Sequence, residues 1–251
     1  MITIIFAPPR TGKTALMVKL LNDAAFDRER IRAMQRTIAD KNENEGYHLT
    51  IPTHCAAANF EATFRRQGYR PRTARVIDPN RLGFVNKDGV KPHFMLPYEI
   101  YGIQEAQGYY NSRNFSDFPA WKSNLFEQHG HNHLDFLLDT QRPGLIDKNI
   151  RELANFIEVR KLDVHYQRNG FFKQMVWTVR EFDNMGVVEE YMKSGKRDRS
   201  LYEQKKIISE TNVFTQYNSW SLESKFYEGR GQYEDFDLYY SMQYLRDAAA
   251  A

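Results

Sequence analysis

The sequence predicts an α/β fold, with a mainly parallel central sheet flanked by helices and a β-rich C-terminal extension. An apolar run from Ile2 to Phe6 opens the chain, and a helical pattern follows it. Short apolar runs then alternate with segments of helical potential, which is typical of a parallel sheet covered on both faces. After Asp147 the pattern indicates one helix and two long antiparallel strands, with a tight turn in "RNGF".

The composition is that of a folded protein in a reducing compartment. The 251 residues suffice for one large or two small domains, and 27% charged with 14% aromatic residues exclude a disordered chain. A net charge of +3 permits contact with nucleic acid or an anionic membrane but argues for neither. The single cysteine, Cys55, excludes an internal disulfide. No apolar run has transmembrane length and no basic segment precedes "MITIIF", so we expect a cytoplasmic chain.

The individual elements follow from these patterns in chain order. The first strand leads into a loop, Ala7 to Gly12, and then into a helix that begins at Lys13. The charged segment "DRERIRAMQRTIADKNENEG" either continues this helix or forms a second one. Further strands are predicted at "HLTIPT", "ARVID", "PYEIYGI" and "HLDFLLDTQ". Helices are predicted at Ala57 to Gln67, Phe118 to Gln128 and near Ser200 to Ile208. We predict one domain in two parts, a core over 1–160 and a β-hairpin and helical extension over 161–251.

The segment "APPRTGKT", Ala7 to Thr14, has the spacing of the phosphate-binding P-loop, with alanine for its first glycine. It directly follows the first strand and opens an amphipathic helix, which is the context that the motif requires. Lys13 is expected to reach the β and γ phosphates of ATP, and the Thr14 hydroxyl to bind Mg²⁺. The alternative is a chance Gly-Lys-Thr at a helix start. The predicted nucleotide-binding residues are Pro8, Pro9, Arg10, Thr11, Gly12, Lys13, Thr14 and Ala15.

The strand in "YEIYGIQEAQ" ends at Gln104 and Glu105, where a P-loop enzyme usually carries an acidic pair. Glu105 is placed to activate water. Gln104 stands where a carboxylate of the outer magnesium shell is expected, and an amide brings no charge, so we expect weak magnesium binding and slow hydrolysis. Two alternatives stay open: Asp78 or Asp139 serves the metal, or "QEAQ" is only a surface strand end.

A third strand, in "HLDFLLDTQ", ends at Gln141, whose side chain is a candidate for orienting the attacking water. The alternative is a solvated glutamine at a strand end. The histidines of "HGHNH", the basic run "KSGKRDRS" and the tyrosine-rich end of the chain are interpreted as solvated or packing segments.

These segments together resemble the zonula occludens toxin family, which includes assembly ATPases of filamentous phages and lies near the FtsK and HerA group of P-loop motors. The resemblance spans Met1 to Ser219. It departs from the family at Ala7 and Gln104, and the membrane span that commonly follows this region in the family does not appear within the 251 residues. The resemblance rests on "APPRTGKT", "IQEAQGYYNSR", "HLDFLLDTQRPGLIDKNIREL" and the closing "VFTQYNS".

The resemblance implies a phage-encoded ATPase that forms a ring, expected to be hexameric, and powers phage assembly, DNA packaging or extrusion. ATP and Mg are the implied cofactors, with Lys13, Glu105 and Gln141 as catalytic residues. The implied partners are further copies of the chain, phage coat or assembly proteins, and single-stranded DNA. The implied location is the host cytoplasm, the inner face of the inner membrane, or the virion. Arg113, Arg142 and Arg151 are candidates for an arginine that reaches a neighbour's γ-phosphate, each with a surface role as the alternative.

Two other functional classes compete with the motor. A nucleotide-binding structural or scaffold protein of the virion or assembly complex would keep the fold with little hydrolysis, and Gln104 is the feature that favours it. A small-molecule kinase would share the P-loop, but the sequence shows no arginine-rich lid segment.

Overall fold

The central sheet is built around the strand that opens the chain. The computed structural model describes residues 1–44, 50–80, 82, 95–111, 120–195 and 197–217. Its strands are β1 (Ile2–Phe6), β2 (Ala56–Ala58), β3 (Thr63–Phe64), β4 (Arg72–Thr73), β5 (Arg75–Val76), β6 (Ile100–Ile103), β7 (Asp135–Thr140), β8 (Ala154–Tyr166), β9 (Phe172–Phe182) and β10 (Glu203–Ser209). Its α-helices are α1 (Lys13–Ala25), α2 (Arg28–Asn44), α3 (Ala120–Gln128), α4 (Lys148–Glu152) and α5 (Met185–Lys193).

Among the described residues, eight strands form one sheet in the order β10, β9, β8, β1, β7, β6, β2, β5. The pairs from β8 to β5 are parallel, whereas β8, β9 and β10 pair antiparallel. All five residues of β1 are buried, as expected of a strand flanked on both sides and covered on both faces. The predicted α/β class, a mainly parallel sheet of the P-loop NTPase fold with a β-rich extension, is confirmed.

Helices cover both faces of this sheet. On one face α1 packs against β1, β2, β6 and β7, and its Leu16 and Leu21 are buried in the core on that side. Gly102 of β6 permits this contact, since a Cβ there would lie 2.5 Å from Leu21 Cδ1. On the other face α3, α4 and α5 contribute Phe126, Ile150 and Val188 to a second core. No helix within the described ranges is long and apolar enough to cross a bilayer.

The hairpin of β8 and β9 extends beyond the rest of the sheet. Residues 154–158 of β8 pair with β1, but residues 159–166 pair only with β9. The register shifts between Val159 and Lys161, so Arg160 is the extra residue of a β-bulge. The bulge reverses the alternation of side chains, and Leu162 therefore shares a face with Val159. We call residues 159–178 the arm, because this hairpin segment passes alongside the loop that follows β1.

Several predicted elements are confirmed, namely β1, α1, a separate α2, β5, β6, β7, α3, α4 and the hairpin of β8 and β9. Three predictions were wrong. The segment Ala57 to Gln67 forms β2 and β3 instead of a helix, because Ala56–Ala58 are completely enclosed between β5 and β6. Ser200 to Ile208 is a 3-10 turn and then β10, which pairs with β9 and buries part of Ile207 in the α1-side core. The described part of "HLTIPT", residues 50–53, contains no strand.

Candidate nucleotide site

The loop between β1 and α1 has the backbone of a phosphate cradle. Gly12 precedes the first residue of α1 with φ at 88°, and Arg10 also has a positive φ, at 63°. The Thr11 hydroxyl donates to the Pro8 carbonyl at 2.7 Å, which fixes the middle of the loop. Ala7 is buried in the α1-side core, so the methyl group that replaces the usual first glycine fits. Pro8, Pro9 and Arg10 are exposed, whereas Ala15 is buried in the first turn of α1.

Gly12 is tightly enclosed by the arm. The indole Nε1–H of Trp177 donates to the Gly12 carbonyl at 3.2 Å, and Trp177 itself is completely buried. A Cβ on Gly12 would lie 2.7 Å from Leu162 Cδ2 and 3.2 Å from Leu162 Cβ, so the Leu162 side chain would have to shift, and the positive φ would strain the backbone. Position 12 therefore favours glycine both for its backbone conformation and for the packing of Leu162, and the arm is one wall of the phosphate loop.

Lys13 and Thr14 begin α1 next to a buried carboxylate, Asp139. The Thr14 hydroxyl donates to Asp139 Oδ2 at 2.8 Å, and the Glu105 amide donates to Asp139 Oδ1 at 2.7 Å. Asp139 is 0% exposed. Burial raises the pKa of Asp139 to about 6, although these two hydrogen bonds and the charge of Lys13 act in the opposite direction.

The order of the strands explains why Asp139 and Thr14 meet. Since β7 lies between β1 and β6, its carboxyl end adjoins both the phosphate loop and the segment that follows β6. Gln104 lies one strand further away and is held by Asn59. The backbone N–H of Gln104 donates to Asn59 Oδ1 at 2.8 Å, and the backbone carbonyl of Gln104 accepts from Asn59 Nδ2 at 3.1 Å.

The side chain of Gln104 is buried, and its Oε1 has no hydrogen-bond partner among the described residues. The sequence placed Gln104 in the outer shell of the metal. In the structure the carboxylate that contacts the Thr14 hydroxyl, the group expected to bind Mg²⁺, is that of Asp139, which the sequence offered only as an alternative.

Glu105 begins a 3-10 turn, Ala106–Gly108, directly after β6, with φ at 51°. Its carboxylate is half-buried and accepts a hydrogen bond from Gln107 Nε2. Because its own amide is bonded to Asp139, Glu105 is fixed at the edge of the same site. The structure thus brings Lys13, Thr14 and Glu105 together around Asp139.

Gln141 follows β7 and is exposed beside the start of the phosphate loop. It lines a groove of about 590 Å³ together with Ala7, Pro8 and residues of α5. Arg142 is exposed and lines the same groove, whereas Arg151 donates from Nε to the Ile146 carbonyl at 2.8 Å. Arg113, the third candidate arginine, lies outside the described residues.

Two residues of the site were missed by the sequence reasoning. Asn59 directly follows a strand that was taken for a helix, so a correct assignment of β2 would have drawn attention to it. Trp177 carries no signal at all, since nothing in the spacing connects it with a glycine 165 positions earlier.

Solved structures similar to this chain include the N-terminal domain of zonular occludens toxin from Neisseria meningitidis, at 17% identity and a TM-score of 0.48, covering 86% of this chain and 98% of that one. They also include the genome packaging NTPase B204 from Sulfolobus turreted icosahedral virus 2 in complex with ATP-gammaS, at 10% identity and a TM-score of 0.35, covering 74% and 93%. No family model matches the sequence, and no curated protein matches it significantly. The first structure belongs by its description to the family that the sequence motifs resemble, and both likenesses concern the fold.

Proposed function

We propose that this chain is a P-loop ATPase of the zonula occludens toxin type that works as a ring motor in phage assembly, DNA packaging or extrusion. The observation that carries the proposal is the 2.8 Å hydrogen bond from Thr14 to Asp139. It joins the hydroxyl that a P-loop offers to magnesium with a buried carboxylate, which is the pair of oxygen ligands that a nucleotide-bound cation needs.

The phosphate-binding part of the proposal rests on the loop and the start of α1. Backbone N–H groups of residues 10–15 would donate to the phosphates, whereas Pro8 and Pro9 have no N–H and contribute only the shape of the loop, and the N-terminus of α1 adds a partial positive charge. Lys13 is 7% exposed, so its ammonium is held close to the loop instead of extending into solvent. An anionic phosphate would give this buried cation a counter-charge.

Thr14 and Asp139 fit Mg²⁺. Both offer oxygen, and Asp139 Oδ2 already faces the Thr14 hydroxyl. Gln104 Oε1, for which the described ranges supply no hydrogen-bond partner, is a further buried acceptor at the neighbouring strand end. Magnesium, when bound, would neutralise charge on the β and γ phosphates.

Glu105 is the residue we assign to accept the proton of the attacking water, and Gln141 the residue that orients it. The hydrogen bond between the Glu105 amide and Asp139 holds the base next to the metal ligands. Two of the three candidate arginines lie in the described residues. Arg142 is the better candidate for contacting the γ-phosphate of a neighbouring copy, because it is exposed, whereas Arg151 donates to the Ile146 carbonyl of its own chain.

We further propose that the chain forms a hexameric ring, works with phage coat or assembly proteins on single-stranded DNA, and is located in the host cytoplasm, at the inner membrane or in the virion. A nucleotide-binding scaffold with little hydrolysis is the second candidate, favoured by the uncharged Gln104. Steady-state turnover separates the two, since the scaffold would bind ATP without releasing phosphate.

The test combines calorimetry with ADP and a phosphate-release assay with Mg–ATP. Lys13→Ala should abolish ADP binding and turnover while leaving the thermal unfolding temperature close to wild type, because Lys13 is assigned to phosphate and not to the core. Lys19→Ala is the matched control: it removes a lysine from the same helix, one that pairs with Asp23. Unchanged ADP affinity in Lys13→Ala would refute the site, and ADP binding by wild type without phosphate release would leave the scaffold as the function.

A further inference from the structure

The end of the arm presents two aromatic side chains to solvent. Phe171 is 70% exposed and Tyr166 is 61% exposed, the two highest values among the exposed large apolar side chains of the described ranges. Both lie at the turn between β8 and β9, on either side of "QRNG". An exposed aromatic pair on one turn differs from the scattered apolar residues that any surface carries.

This turn is held in one conformation. The backbone N–H of Gln167 donates to the Phe171 backbone carbonyl at 2.7 Å, and the backbone N–H of Gly170 donates to the Gln167 backbone carbonyl at 3.0 Å. Gly170 has a positive φ of 81°, as such a turn requires. Tyr166 packs edge-on against Phe172, with ring centroids 6.4 Å apart. Since the backbone is already ordered, binding through these rings costs little conformational entropy.

The charge around these rings is positive. Arg168 and Lys173 are exposed, and neither has an ion-pair partner within the part of the chain that the structure describes. The segment from Val164 to Gln174 contains no carboxylate, and Asp163 just before it is paired with Lys161 at 2.7 Å. Exposed aromatic rings that alternate with cations along the turn can bind a flexible polyanion whose apolar groups are flat, because the rings stack on those groups and the cations contact the negative charges.

We propose that the tip of the arm, residues 165–173, binds single-stranded nucleic acid, with Phe171 and Tyr166 stacking on bases and Arg168 and Lys173 contacting phosphates. This surface lies on the same hairpin whose Leu162 and Trp177 enclose Gly12. Nucleic acid at the tip would therefore be connected to the phosphate loop by a continuous pair of hydrogen-bonded strands. The proposal names a DNA-contacting surface for the motor and can fail while the nucleotide site stands.

The experiment is fluorescence anisotropy with a labelled oligothymidylate of about 20 nucleotides, which exceeds a single stacking site. Phe171→Ala should weaken binding roughly 5- to 100-fold, and Phe171→Trp should preserve it, because stacking on each base needs an aromatic face. Arg168→Ala should reduce the slope of log affinity against log salt by about 0.7. The matched control is Phe214→Ala, which removes another exposed phenylalanine, 48% exposed, from outside residues 165–173.

Each outcome decides the proposal. Binding that Phe171→Ala and Arg168→Ala both weaken, with ADP affinity unchanged in calorimetry, would support it. Wild type that binds ADP but no oligonucleotide would overturn it and leave the proposed ATPase intact. Oligonucleotide binding that the tip variants do not affect would overturn it as well, and loss of self-association in Phe171→Ala would then assign the tip to contact between copies.

Discussion

At the residue scale, Asp139 and Gln104 occupy neighbouring strand ends with different surroundings. Asp139 accepts hydrogen bonds from Thr14 and from the Glu105 amide, and it lies near the charge of Lys13. Gln104 is bound through its backbone to Asn59. A carboxylate at position 104 would be buried next to Glu105, whose backbone N–H donates to Asp139. Two negative charges would then repel each other in a site with little water. An amide at 104 avoids this repulsion.

We therefore predict that Asp139→Asn removes magnesium dependence and that Gln104→Asp does not strengthen it. Asparagine can still accept from the Glu105 amide and donate to Thr14, so the fold should persist while the negative charge is lost. The affinity gained on adding Mg²⁺ should fall by about 10- to 100-fold, as is typical when a group supporting a metal is removed. Calorimetry with ADP, in magnesium and in EDTA, measures this gain without relying on turnover.

The reverse result would restore the assignment made from the sequence. If Gln104→Asp raised the magnesium-dependent affinity and Asp139→Asn left it unchanged, the metal carboxylate would belong at the end of β6. Glu105→Gln serves as a control, because it should lower turnover without changing ADP affinity.

At the element scale, the arm stabilises the phosphate loop by a hydrogen bond and by packing. Gly12 O accepts from both Leu16 N, at 2.9 Å, and Trp177 Nε1, at 3.2 Å. The bulge at Arg160 makes this possible, since without it Lys161 would take the place of Leu162 on the loop side. Arg160 Nη1 lies 3.2 Å from Glu158 Oε1, and this buried carboxylate also accepts from the Tyr191 hydroxyl at 3.0 Å, which fixes the strand at the bulge.

Trp177→Phe is predicted to weaken ADP binding by roughly 2- to 10-fold, which corresponds to the loss of one hydrogen bond that orders the loop. Val179→Ala is the control, because Val179 lies on the same face of β9 and is completely buried, but its side chain cannot donate a hydrogen bond to the Gly12 carbonyl. Urea unfolding should show destabilisation in both variants, whereas calorimetry should show weaker ADP binding only in Trp177→Phe. Equal loss of ADP affinity in both would mean that general destabilisation, and not the bond to Gly12, controls the loop.

The elements that could be predicted were those with a local signal. "ITIIF" is apolar throughout and "APPRTGKT" opens a helix, so β1, the loop and α1 follow from the sequence. Ala56–Ala58 could not be recognised as a strand, because alanine favours helices and only the enclosure between β5 and β6 decides otherwise. The meeting of Asp139 with Thr14 depends on β7 lying between β1 and β6, and strand order leaves no trace in local spacing.

At the scale of the whole molecule, the predicted boundary after residue 160 falls inside β8, which runs from Ala154 to Tyr166. The core under α1 draws on both sides of this boundary. Leu16 and Val18 come from α1, whereas Met175 and Trp177 come from β9. Val213, at the start of a 3-10 turn beyond β10, also belongs to this core and donates from its amide to Met175 Sδ at 3.4 Å.

We predict that neither residues 1–160 nor residues 161–251 fold alone. The first fragment would expose Leu16 and Val18, and the second would lose the α1 side chains that share a core with Met175 and Trp177. Circular dichroism during urea unfolding should show one cooperative transition for the whole chain and none for either fragment. Because β8 is cut in both, a second pair divided at Leu153, before β8 begins, controls for damage to the strand and should fail in the same way. A cooperative transition in the fragment from residue 154 onward would show that the hairpin is an independent unit, and the bond from Trp177 to Gly12 would then be a contact between two domains.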